Sequence, residues 1–197
     1  MKIFLFLLLS LGLYAEENKE LERLMKGNQR YIEDKLEYPD HSADRRKALV
    51  ASQEPFAVIL SCSDSRVPPE IIFDQNVGDL FVVRLAGNVA GKLATESIGY
   101  ATNQLHSSLI FVMGHQNCGA VSAVLSHQTE GISGIASLIE PAVKSLKEDD
   151  LEKAIKANVR AVVKTLKNSP DLGKNIAIFG GYYHLKSGQV ELLEDES

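Results

Sequence analysis

Four short, almost wholly apolar runs punctuate the chain: Phe56 to Leu60, Leu80 to Val83, Leu109 to Met113 and Ile176 to Phe179. None alternates polar with apolar residues, so they predict strands buried on both faces, the pattern of a parallel sheet. Helix-like stretches lie between and around them, near Leu93 to His106, Gly119 to His127, Gly131 to Lys147 and Asp150 to Lys167. This alternation predicts an α/β fold, a mostly parallel β-sheet flanked by helices on both faces. Gln189 to Leu193, after the turn-like Lys186-Ser187-Gly188, adds a C-terminal edge strand. Ahead of the first strand, Glu17 to Asp34 is polar and carries Leu21, Leu24, Met25 and Ile32 at roughly helical spacing. So narrow a stripe predicts an N-terminal helical arm, packed on a partner subunit or docked loosely on its own domain. A second helix is expected from Ser42, whose hydroxyl suits an N-cap, to about Ser52.

The first fifteen residues stand apart from this pattern. Lys2 precedes an apolar run from Ile3 to Leu13, which ends at Tyr14-Ala15 before Glu16-Glu17. That reads as a secretory signal peptide over 1–15, cleaved near Ala15, and it predicts a periplasmic or secreted protein. The run is shorter than the roughly 18 apolar residues that span a bilayer, so no stable membrane span is expected after cleavage. Residues 16–197 form a single domain, without internal repeat, low-complexity block or linker. A composition of 45% apolar and 24% charged residues is that of an ordinary globular domain. The net charge of −5, with no Lys/Arg run, argues against a nucleic-acid partner and leaves small molecules and proteins. Export sharpens one question, because an oxidising compartment favours disulfides and the chain has two cysteines, Cys62 and Cys118.

Both cysteines follow predicted strands. The first run empties into Ser61-Cys62-Ser63-Asp64-Ser65-Arg66-Val67-Pro68, where Pro68-Pro69 stops ladder pairing. The third empties into Gly114-His115-Gln116-Asn117-Cys118-Gly119-Ala120, after which a helix begins. Open α/β sheets collect ligands beyond the carboxyl ends of their strands, so two loops deliver Cys, Asp, His and Cys to one crevice. These are zinc-ligand types, and Cys62, His115 and Cys118 together leave one tetrahedral position for water, the layout of a catalytic site. Cys118 at a helix start gains from the positive end of the helix dipole, which favours the thiolate. A metal-free domain stapled by a Cys62–Cys118 disulfide is the competing reading of the same residues.

Cys62-Ser-Asp-Ser-Arg66 and Gly114-His115-Gln-Asn-Cys118-Gly119-Ala120 resemble the motifs of the β-class carbonic anhydrases. So do Ile71 to Gln75, Gly78 to Arg84, Ala86 to Asn88, Ser97 to Ala101 and the closing Tyr183 to Gly188, which extends the resemblance from Glu17 to the C-terminus. It implies Cys62, His115 and Cys118 as ligands of one Zn2+ per chain. It implies further that Asp64 and Arg66 form a dyad: Asp64 orients a zinc-bound hydroxide, or swings onto the metal as a fourth ligand in a closed state. Arg66 stays charged and grips a carboxylate in fork geometry, so the choice for Asp64 lies between Arg66 and zinc. Gln53, Phe81 and Tyr100 match an amide donor and an aromatic wall around the substrate. The implied activity is reversible hydration of carbon dioxide to bicarbonate and a proton, in a homodimer or homotetramer. Hydrolysis of carbonyl sulfide or carbon disulfide, and noncatalytic binding of zinc or bicarbonate, are the alternatives. His41, His106, His127 and His184 are candidates for the proton route.

Overall fold

All five residues of β1 (Ala57–Ser61) and all seven of β3 (Leu109–His115) are buried, as continuous apolar runs require of strands covered on both faces. They pair in parallel at the centre of a five-stranded sheet of order β2-β1-β3-β4-β5. β2 (Leu80–Arg84) runs parallel to β1, and β4 (Ala177–Tyr183) runs parallel to β3. β5 (Val190–Leu193) closes the far edge antiparallel to β4. The computed structural model describes residues 18–38, 41–144, 146 and 150–194, so the leader read over residues 1–15 lies outside the described residues.

Seven helices pack around this sheet among the described residues: α1 (Lys19–Ile32), α2 (Ala43–Ala48), α3 (Pro69–Ile72), α4 (Lys92–Gln104), α5 (Gly119–Leu125), α6 (Ser133–Lys144) and α7 (Leu151–Lys167). Side chains alternate across the central strands. Ile59, Leu109, Phe111 and Met113 join a core with α1, α3, α5 and α6, whereas Val58, Leu60, Ile110 and Val112 join one with α4 and the later turns of α7. No helix among the described residues is long and apolar enough to cross a membrane.

Three departures from the sequence pattern have physical causes. First, β3 runs on through Gly114 and His115, and β4 through Gly180 to Tyr183, beyond the apolar runs that announce them. Glycine weakens an apolar signal, but here it admits α7: a Cβ at Gly114 would meet Val159 Cγ2 at 2.6 Å, and one at Gly180 would meet Val159 Cγ1 at 2.7 Å. Second, Pro68-Pro69 does more than end a strand. Pro69 opens α3, where its fixed φ and missing N–H cost nothing. Third, α1 is docked firmly on its own chain. Leu21 and Leu24 are fully buried, and Asn28 Nδ2 donates to the carbonyls of Ile72 (3.1 Å) and Gly188 (2.8 Å). Val190 N–H donates to Asn28 Oδ1 at 2.8 Å, which ties the arm to the start of β5. α2 begins as expected, with Arg45 N–H donating to Ser42 Oγ at 3.1 Å, but ends at Ala48.

Candidate metal centre

Register puts Ser61, the last residue of β1, beside Met113 of β3 and Arg84 of β2. The chain leaving β1 therefore emerges next to the end of β3, and Cys62 meets His115. Arg84 pins this exit: its Nε donates to the Cys62 carbonyl at 3.0 Å and its Nη2 to the Asp64 carbonyl at 2.5 Å. On the other side, His115 closes β3, and a turn through Asn117 (φ +56°) leads to Cys118 at the N-cap of α5. Gln116 N–H donates to the Tyr183 carbonyl at 2.8 Å, anchoring the turn to β4.

The outcome is a buried triad. Ligand atoms of Cys62, His115 and Cys118 lie within 4.8 Å of one another, and both cysteines are free. His115 Nδ1 donates to the Gln116 carbonyl at 2.9 Å, which leaves the lone pair on Nε2. That Nε2 is buried and has no hydrogen-bond partner among the described residues. An orphaned imidazole nitrogen between two thiols is costly unless it is a ligand. Two sulfurs and an imidazole nitrogen suit zinc, and their separations are within reach of one tetrahedral ion with donors at about 2.0–2.3 Å.

One of the two thiols is already primed. Donation from the Cys118 thiol, against burial, and with help from the Gly87 N–H, pushes Cys62 down to about 4. The same shared proton, with burial, pushes Cys118 up, although the Val121 and Ala120 N–H groups at the start of α5 favour its thiolate. The pair thus holds one negative charge and one proton, and metal binding must displace that proton.

Asp64 stands beside the triad, its Oδ2 3.9 Å from His115 Nε2. Arg66 grips it as a fork, Nε to Oδ1 at 2.9 Å and Nη2 to Oδ2 at 2.7 Å, with Arg66 N–H also donating to Oδ1 at 3.0 Å. The guanidinium, against a smaller cost of burial, holds the Asp64 carboxyl well below the usual carboxylate range, so Asp64 is an anion near neutral pH.

The expected substrate residues lie elsewhere in the chain. Gln53 is exposed in the segment before β1 and lines a shallow pocket with Tyr100 and His106. Phe81 sits mid-strand on β2, its ring 6.3 Å from that of Tyr100. Gln53 thus lies before one end of β1 and Cys62 after the other, with a strand rising about 3.3 Å per residue between them. One chain assembles the ligands and the Asp64–Arg66 pair but does not bring Gln53 to them. His41, His106 and His127 are exposed, and His184 Nε2 lies 3.2 Å from Glu191 Oε2. Two contributors carried no expectation from sequence: Arg84, and Gly87, whose N–H donates to Cys62 Sγ at 3.4 Å. A lone arginine closing the apolar run Leu80 to Val83 was the available signal for the first.

A family model described as carbonic anhydrase matches residues 57–190. Carbonic anhydrase 2 of Mycobacterium tuberculosis is 36% identical over 184 residues, which covers 86% of this chain and 89% of that protein. Among solved structures, a Coccomyxa β-carbonic anhydrase in complex with acetazolamide aligns with TM-score 0.68 and 29% identity over 75% of each chain. A tetrameric β-carbonic anhydrase from Sordaria macrospora aligns over 98% of each chain with TM-score 0.69 and 21% identity, a likeness of fold.

Proposed function

This chain belongs to the β-class carbonic anhydrases, an enzyme family, and we propose that it hydrates carbon dioxide reversibly to bicarbonate and a proton at one zinc ion held by Cys62, His115 and Cys118. The observation that carries this reading is the buried triad, with the lone pair of His115 Nε2 unclaimed beside an ionised Asp64. When bound, zinc supplies the Lewis acidity that lowers the pKa of a water in the open position. Two thiolates leave less positive charge there than three imidazoles would, so the surrounding side chains matter more.

Asp64 is placed to accept a hydrogen bond from the nucleophilic oxygen and so aim its free lone pair at the carbon of the substrate. Arg66 keeps Asp64 in that position and off the metal, because its fork satisfies both carboxylate oxygens. Attack on carbon dioxide would form the new carbon–oxygen bond as one carbon–oxygen π bond opens, and bicarbonate and a proton would then pass to solvent. Stopped-flow hydration assays should show a rate that rises with pH through one ionisation. Asp64→Asn should lower kcat by about 10–100-fold while zinc stays bound. A parent protein fully loaded with zinc but inert from neutral to alkaline pH would sink the proposal.

The substrate pocket is completed, in this reading, by a second copy. β2 is an edge strand whose Leu80-Phe81-Val82-Val83 run is only partly covered, and Val50, Leu93 and Tyr100 are exposed. An open apolar edge is a natural pairing surface. A homodimer built there lets Gln53 and Tyr100 of one copy face the metal of the other. Mixing Gln53→Ala chains with Cys118→Ser chains tests this. Hybrids should regain hydration activity, since one site then has both an intact triad and an intact partner glutamine. Absence of any complementation in proven mixed dimers would place Gln53 in its own chain's site or in none.

A further inference from the structure

One buried side chain near the triad has no part in the chemistry above. Asn158 lies on α7 among Ile155, Val159, Val162, Val163 and Leu166, in a slot of the buried stripe that an apolar residue would fill. It is fully buried, and its Oδ1 has no hydrogen-bond partner among the described residues. An amide kept there half satisfied is costly. Its one hydrogen bond goes from Nδ2 to the Gly87 carbonyl at 2.9 Å. The amide of that same Gly87 donates to Cys62 Sγ at 3.4 Å.

We infer that Asn158 is a positioning residue for the metal thiolate: by fixing the Gly87 carbonyl it restrains the Gly87 backbone, so that the N–H on the other side of the same Cα stays aimed at Cys62 Sγ. Gly87 itself cannot do this unaided. Its φ of +70° is open to glycine at little cost and to other residues only with strain. A side chain would also have to displace Ile139, whose Cδ1 a Cβ would meet at 2.7 Å. A glycine is the residue freest to turn, and the amide of Asn158 removes that freedom at its carbonyl. α7 can hold this post because Gly114 and Gly180 let Val159, the next residue, rest directly on β3 and β4. The chain of contact therefore runs from the sheet through α7 and Asn158 to Gly87 and the sulfur. N–H donors to a thiolate tune both its affinity for metal and its electron donation.

This inference rests on the zinc reading, and its test separates the two. Zinc affinity is measured by competition with a chromophoric chelator for the parent, Asn158→Leu, Asn158→Ala and Val162→Ala. The thiolate-to-metal charge-transfer band is recorded for each with cobalt(II) in place of zinc. Both Asn158 variants should bind zinc about 10–100-fold more weakly, and their cobalt bands should shift to lower energy as the sulfur loses its donor. Val162→Ala loses packing on the same helix without touching Gly87, so it should lower stability and leave affinity and spectrum unchanged. A parent that binds no zinc defeats the metal reading itself. A parent that binds zinc, with Asn158 variants matching its affinity and spectrum, overturns the positioning role alone. Failure of both Asn158 variants to fold would also overturn it, in favour of a purely structural role.

Discussion

A Cys118→Ser chain should carry almost no zinc and hydrate carbon dioxide more than about 10³-fold more slowly than the parent, because the acidified water is lost with the metal. Serine is close to cysteine in size but does not supply a thiolate, and the remaining Cys62 and His115 give a two-donor site. The fold should persist. The central strands are packed by Ile59, Phe111, Val58 and Ile110, none of which depends on Cys118 for its place in the sheet. Metal quantification, circular dichroism and stopped-flow assay on one preparation decide the matter. Near-stoichiometric zinc with parental rates would overturn the ligand assignment.

Gly27→Ala should lower unfolding free energy by about 3 kcal/mol, at the upper end of ordinary overpacking costs. A methyl at Gly27 would land on the Phe73 carbonyl oxygen, with the carbonyl carbon at 2.7 Å. Both atoms are backbone, so no rotamer can yield. α1 would have to lift away, loosening Leu21 and Leu24, each a fully buried side chain worth roughly 1.5–3 kcal/mol. It would also stretch the Asn28 bonds to Ile72, Gly188 and Val190. Alanine favours a helix over glycine by about 1 kcal/mol, which offsets only part of that loss. Urea unfolding followed by far-ultraviolet circular dichroism measures the balance. An unchanged or raised midpoint would mean that α1 is not held as closely as its contacts indicate.

The arm shows how far a sequence pattern reaches. Leu21 and Leu24 announce a helix, but a narrow stripe does not say what it covers, and the answer lies in Gly27 and Asn28. Neither looks like a core residue: one is buried because it is small, the other because its amide serves three backbone groups. The triad was legible for the opposite reason. Cysteine and histidine are chemically distinctive, and each follows an apolar run whose strand nature is plain. Arg84, Gly87 and Asn158 escaped because they act through carbonyls and amides, which every residue carries. Gln53 and Tyr100 lie away from the triad of their own chain, a separation that no residue pattern announces.

The parallel order of β2, β1, β3 and β4 also governs how the protein is made. No two of these strands can meet as a hairpin; each pairing waits for a crossover, and such topologies fold slowly. During that wait, His115 and Cys118 are only three positions apart along the chain, so a local turn is enough to bring them together as a two-toothed clip. Cys62 is different: it arrives only when β1 has found β3 in the right register, where Ser61 sits opposite Met113. A slip of one residue would turn every side chain of β1 to the other face and carry Cys62 out of reach. The third thiol-or-imidazole donor is therefore a proofreader of the central strand pairing, delivered to the clip only by a correctly threaded chain.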